Sequence, residues 1–198
     1  MLGWHKKRRV MLCYDTTATI YEKRYAEEQA AKVEAALKHV KIEKEGLILD
    51  VGCGTGILFD YITNEANGVV GLDFSKKCLL QARERIRNKR LRDVQLIQAD
   101  ADNMPFHNEA FNTVFAMTIL QNTPSPNETL AEIKRVSGNN ALFVITGLKK
   151  IFTKEGFEQL LKNSQLNTLV LEDEKLKCYV AVCTNSPILG LSASQKEI

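Results

Sequence analysis

Five short runs dominated by apolar and β-branched residues recur along the chain, at 47–51, 69–73, 94–99, 113–117 and 141–146. Each is too short for a helix and lacks the strict alternation of a half-exposed strand, so each reads as a strand buried on both faces. Helical signals lie between them. Residues 20–39 are rich in alanine and charge and free of Gly and Pro, and Tyr21, Tyr25, Ala30, Val33 and Leu37 fall mostly at helical spacing. After Ser75, Leu79, Ala82 and Ile86 share a face. Ser125, Pro126 and Glu128 supply an N-cap, a first-turn proline and a capping-box acid, and another helix is expected over 153–164. Strands alternating with helices require right-handed crossovers, hence a doubly wound, mostly parallel α/β sheet with helices on both faces. The alternation fails at the end. The runs 168–172 and 177–184 are joined by too few residues for a crossover helix, so the last strand is expected to return antiparallel in a hairpin.

A length of 198 residues suits a single domain. We divide it into a basic N-terminal segment at 1–13, a core domain at 14–184 and a flexible tail at 185–198, where Ser192, Ser194 and Gln195 mark a loss of apolar pattern. No run approaches the roughly 18 apolar residues that a membrane span needs, and the start lacks the apolar core of a secretory signal. A cytoplasmic protein without a membrane partner is the expectation. Five cysteines with no C-x-x-C pair argue against a disulfide framework and a structural zinc site, so no metal is expected. A net charge of +3 names no partner by itself.

Candidate chemistry begins at L-I-L-D-V-G-C-G-T-G, 47–56. A buried strand runs into glycines at 52, 54 and 56, and a helix is expected from about Thr55. Glycines let the backbone turn tightly and lie against a ligand with no Cβ between them, and the following helix would offer unpaired N–H groups. Structural turns and nucleotide sites share such a loop, so its neighbours decide. Asp73 closes the second strand, where a carboxylate can accept both hydroxyls of a ribose. Asp100 and Ala101 close the third, where a side-chain acceptor and a backbone N–H can read an adenine edge. Two registers of G-x-G-x-x-G were considered for a nicotinamide dinucleotide. They would put the last glycine at Ile57 or Phe59, and neither position supplies it. Asp50, just before the turn, would repel a pyrophosphate but suits the ammonium and sulfonium charges of S-adenosylmethionine.

D-V-G-C-G-T-G at 50–56, G-L-D-F-S at 71–75, Q-A-D-A-D-N-M-P-F at 98–106 and F-N-T-V-F-A-M at 111–117 resemble, in order and spacing, the class I seven-stranded Rossmann-like methyltransferases. The resemblance covers nearly the whole chain. It implies strand order 3-2-1-4-5-7-6 with strand 7 antiparallel, an N-terminal lid helix, and S-adenosylmethionine as methyl donor. By the same resemblance Asp50 and the loop of Gly52, Cys53, Gly54 and Gly56 hold the methionine part. Asp73 holds the ribose, Phe74 the adenine face, Asp100 and Ala101 the adenine edge, and Met117 sits among these positions at the end of strand 4. The segment 14–25 is similar to the lid helix, in which an aromatic residue meets the methionine carboxylate; Tyr21 and Tyr25 are the candidates, beside a solvated Arg24.

The acceptor is open: a small molecule, RNA or a protein. Gln121 and Asn122, after strand 4, are possible acceptor contacts, and no general base is identified. Absence of N-P-P-Y, D-P-P-Y and Pro-Cys segments disfavours transfer to an exocyclic base amine or to cytosine C5. Cys53 reads as a small loop residue rather than a nucleophile, and His107 as a solvated loop residue. Residues 76–92 carry eight cations against Glu84 alone; with Lys6 to Arg9 they form a solvated face or an anion-attracting surface for RNA. Two alternatives stand beside the enzyme. One is a cofactor-binding module that works only with a small activator subunit at the exposed strand 3 edge. The other is a nicotinamide-dependent oxidoreductase.

Overall fold

The structure, a computed structural model, describes residues 2–171 and 173–185; of residues 2 and 18–25 it describes the backbone alone. Tail residues 186–198 lie outside the described residues. The elements are α1 (Leu2–Leu37), β1 (Leu47–Val51), α2 (Phe59–Ile62), β2 (Gly68–Asp73), α3 (Lys76–Lys89), β3 (Val94–Gln98), β4 (Phe111–Ala116), α4 (Pro126–Val136), β5 (Ser137–Leu148), α5 (Lys154–Asn163), β6 (Asn167–Leu171) and β7 (Cys178–Thr184). They build one seven-stranded sheet in the order β3-β2-β1-β4-β5-β7-β6. β1 to β5 pair in parallel, and β7 is antiparallel to both β5 and β6. This is the expected α/β topology.

Two cores explain the continuous apolar runs. Leu49, Val51, Val114, Ala116, Phe143 and Ile145 pack against Leu130 and Ile133 of α4 and Phe157 and Leu161 of α5. The residues between them, Ile48, Phe115 and Val144, pack with Val33 and Ala36 of α1, Phe59 and Ile62 of α2, and Ala82 of α3. Strand side chains alternate faces, so a sheet buried on both sides shows no polar phase. The predicted cap forms, with Ser125 accepting a hydrogen bond from the Glu128 N–H, and Ser75 and Thr153 cap their helices in the same way, accepting from the Cys78 and Gly156 N–H.

Two expectations need correction. The first helix begins at Leu2, not near residue 20, so residues 2–13 form its first turns. Those turns hold Lys7, Val10, Met11 and Tyr14 at the i, i+3, i+4, i+7 spacing of one helix face, and that face packs on loops distant in the chain. The helix expected from Thr55 starts at Phe59 and lasts four residues. Gly52, Gly54 and Gly56 have φ of 74°, 55° and 76°, and a left-handed residue at 56 ends any helical run before 57.

Candidate functional site

A pocket opens at the carboxyl ends of β1 to β4, beneath the first turns of α1. That is where an open α/β sheet gathers ligands, because the loops diverge there on either side of the sheet. Its floor is the glycine loop. Gly52 and Cys53 donate their N–H groups to the Leu72 carbonyl at 2.7 and 3.0 Å, which ties the loop to β2. Gly54 donates to Asp73 Oδ2 at 2.8 Å, and Ser75 N–H donates to Asp73 Oδ1 at 2.7 Å. The N–H groups of Gly52, Cys53, Gly54 and Gly56, the last donating to the Cys53 carbonyl at 2.9 Å, are thus spent inside the protein. A Cβ on Gly54 would meet no protein atom, so it would occupy the pocket itself; a Cβ on Gly56 would strike the Phe59 ring at 2.6 Å. A side chain at position 54 would therefore narrow the pocket without striking the protein. Gly56 serves packing and is not among the pocket-lining residues.

Acids define the electrostatics. Asp50 lines the pocket, is only 3% exposed, and makes no hydrogen bond or ion pair among the described residues. Burial, with the nearby Asp73 charge, pushes its carboxyl up to about 8. Burial also raises Asp73, opposed by the backbone N–H groups of Ser75 and Gly54. Thr55 Oγ1 on the same wall is buried with no hydrogen-bond partner. An unpaired buried carboxylate is costly unless a cation meets it, so this corner is shaped for positive charge. Cys53 is buried, and burial holds its thiol well above the ordinary value, which removes it as a nucleophile.

The roof is α1. Lys7 Nζ lies 2.6 Å from both Asp100 Oδ2 and Asp102 Oδ2. Lys6 Nζ donates to the Thr123 carbonyl at 2.5 Å, and Asn122 Nδ2 donates to Tyr14 Oη at 2.9 Å. Ser75 Oγ donates to Asp15 Oδ1, and Trp4 stands edge-on to Phe74 with ring centroids 6.0 Å apart. Burial pushes the Tyr14 phenol up to about 12, so it stays neutral near pH 7. Thr118 adopts a left-handed φ of 63°, held by its N–H donating to Thr146 Oγ1 at 2.7 Å, and Met117 and Ile119 on either side of it line the pocket.

Asp50, Gly52, Cys53, Gly54, Asp73, Phe74, Asp100, Ala101 and Met117 all line this pocket, as does Asn122. Gln121 and His107 are not among its lining residues. The side chains of Tyr21, Arg24 and Tyr25 lie outside the described residues. Sequence reasoning missed Lys7, Val10, Met11 and Tyr14, whose helical spacing was the available signal. Part of the basic run is absorbed by the fold: Arg85 and Lys89 pair with Asp60 Oδ2 at 2.5 and 2.6 Å.

The sequence matches the family described as Methyltransferase domain over residues 49–145. It is 36% identical over 101 residues to a phosphatidylethanolamine N-methyltransferase of Cereibacter sphaeroides, covering 50% of this chain and 49% of that one. A demethylmenaquinone methyltransferase of Lactobacillus johnsonii is 35% identical over 103 residues, covering 50% and 42%. The chain thus spans less than half the length of either relative. Among solved structures, the methyltransferase chain from a complex with the Haloferax volcanii Trm112 methyltransferase activator superposes with a TM-score of 0.73 at 16% identity, covering 87% of this chain and 97% of that one. At that identity the likeness is one of fold.

Proposed function

Because the chain belongs to the class I methyltransferases, we propose that it binds S-adenosylmethionine beneath α1 and transfers its methyl group to a small, uncharged acceptor. The observation that carries this reading is Asp50: a buried, unpaired carboxylate facing the pocket fits a ligand bearing an ammonium and does not fit a pyrophosphate. Asp50 would hold the methionine ammonium, Asp73 the ribose hydroxyls, Phe74 the adenine face, and Asp100 with the Ala101 backbone the adenine edge. Tyr21 and Tyr25 are proposed for the methionine carboxylate. When bound, the cofactor supplies an electrophilic methyl on a sulfonium. The chain's own part is positioning and exclusion of water, the main contributions to an in-line displacement at carbon. Apolar Val10, Met11, Val33 and Ile119, with the neutral Tyr14, Gln29 and Asn122, suit an acceptor whose nucleophilic atom needs no strong base. Calorimetry tests the donor: micromolar binding of S-adenosylhomocysteine with no comparable binding of NAD supports the reading, and tight NAD binding overturns it. Labelled methyl transfer into fractionated extract tests the acceptor, with label in RNA or protein refuting a small one.

A second reading is activation by a small subunit. β3 pairs with β2 alone and forms one edge of the sheet, and the Haloferax chain of like fold was solved with an activator. Full activity of the isolated chain would exclude this requirement.

A further inference from the structure

The outward face of the first turns of α1 is unlike the rest of the surface. Trp4, His5, Arg8, Arg9, Leu12, Cys13 and Thr16 are the exposed positions, a stripe at helical spacing. Trp4 is 57% and Leu12 53% exposed, two of the five large apolar residues that the described surface leaves in solvent. No acidic residue precedes Asp15, and Asp15 itself is engaged with Ser75. Of the four consecutive cations, Lys6 and Lys7 are bound to the loops below, while Arg8 and Arg9 point outward and make no ion pair among the described residues.

We propose that this face docks on an anionic membrane surface. An aromatic and an aliphatic anchor one helical repeat on either side of two arginines match the lipid interface. There the apolar side chains enter the headgroup boundary and the cations meet lipid phosphates. Leu12 separates this from a nucleic-acid surface: RNA rewards cations and a stacking indole but offers nothing to an aliphatic side chain. The exposed Leu80 of α3 lies in the same cation-rich helix as Lys76 and Lys77, and the Asp15 carboxylate accepts from the Lys77 N–H at 3.3 Å, joining the two helices. No described helix is long and apolar enough to cross a membrane, and a helix lying on the surface needs no such length. The inference does not depend on the identity of the cofactor or acceptor.

Trp4 is the sole tryptophan, so its fluorescence reports the contact directly. The full chain should show a blue-shifted emission with phosphatidylcholine vesicles containing phosphatidylglycerol, a smaller shift with phosphatidylcholine alone, and reversal by salt. Replacing both charges, Arg8→Gln with Arg9→Gln, should weaken partitioning onto the anionic vesicles about thirtyfold. Leu12→Ser should weaken it about tenfold. Both variants should keep the wild-type unfolding midpoint, and a wild-type partition coefficient in both would overturn the proposal. So would the absence of any shift with anionic vesicles, a shift with a polyuridine oligonucleotide in place of vesicles, or a shift that depends on protein concentration alone.

Discussion

Lys7 and Asp100 stand 2.6 Å apart although 93 positions separate them along the chain. The ammonium therefore occupies the acid proposed for the adenine edge. Asp102, its second partner, is more deeply buried, so Lys7 can yield Asp100 and remain held. We expect Lys7→Met to tighten S-adenosylhomocysteine about two- to fivefold, the scale of a partly exposed ion pair, and to speed its association in stopped-flow measurements. Weaker binding would mean that Lys7 assists the ligand rather than competing with it.

Asp50 predicts a pH dependence. Its carboxyl is raised from 3.8 to about 8, so the folded protein holds that proton more tightly than the unfolded chain. Stability of the ligand-free protein should fall as pH rises through this window, and Asp50→Asn should flatten the trend in thermal unfolding. Pairing with an ammonium requires the carboxylate, so affinity for S-adenosylhomocysteine should rise by up to about tenfold per pH unit between 6 and 8. Asn at 50 should weaken that ligand and leave adenosine binding unchanged. Equal losses for both ligands would assign Asp50 a structural role.

Asp73 has two tasks, since its oxygens hold Gly54 and Ser75 while facing the pocket. Asp73→Ala should cost about ten- to a hundredfold in S-adenosylhomocysteine affinity. Because the loop loses its tether as well, adenosine should weaken too, which distinguishes this variant from Asp50→Asn in the same calorimeter.

Lys32 is 1% exposed and lies 2.8 Å from Glu28, which also takes Lys177 at 2.9 Å. The pair is asymmetric. Glu28→Gln strands a buried cation and should destabilise by about 3 kcal/mol, whereas Lys32→Met leaves Glu28 with Lys177 and should cost under about 1 kcal/mol. Urea unfolding of the two variants measures the difference, and equal losses would refute the asymmetry.

The strands, the antiparallel final hairpin and the Ser125 cap were legible because they rest on local signals: two-sided apolar runs, Ser125, Pro126 and Glu128 before a helix, and a spacer too short for a crossover; the strand order came from the family resemblance. The acids at 50, 73 and 100 were legible because each lies at or just beyond the carboxyl end of a strand, and those ends converge in this topology. The roof was not. Lys7 and Tyr14 acquire their meaning from Asp100 and Asn122, which the chain reaches far later, and their helical spacing suggests a buried face without naming what it covers. Lys32 was invisible for a related reason, as a lysine in a charged helix reads as solvated until its neighbours are known. The false helix start at Thr55 came from treating Gly56 as a helical residue when its left-handed φ forbids it.

The placement of β7 between β5 and β6 sets an order on folding. β6 pairs with β7 and with no other described strand, and β5 gains its second neighbour only from β7. A ribosome delivers β5 and β6 first, so the growing chain carries an open edge of buried-type residues such as Val144 and Ile145 until β7 emerges. That interval is when another nascent chain could pair with the exposed backbone. A truncation that removes β7 does more than shorten the sheet: it reopens β5 and sets β6 adrift.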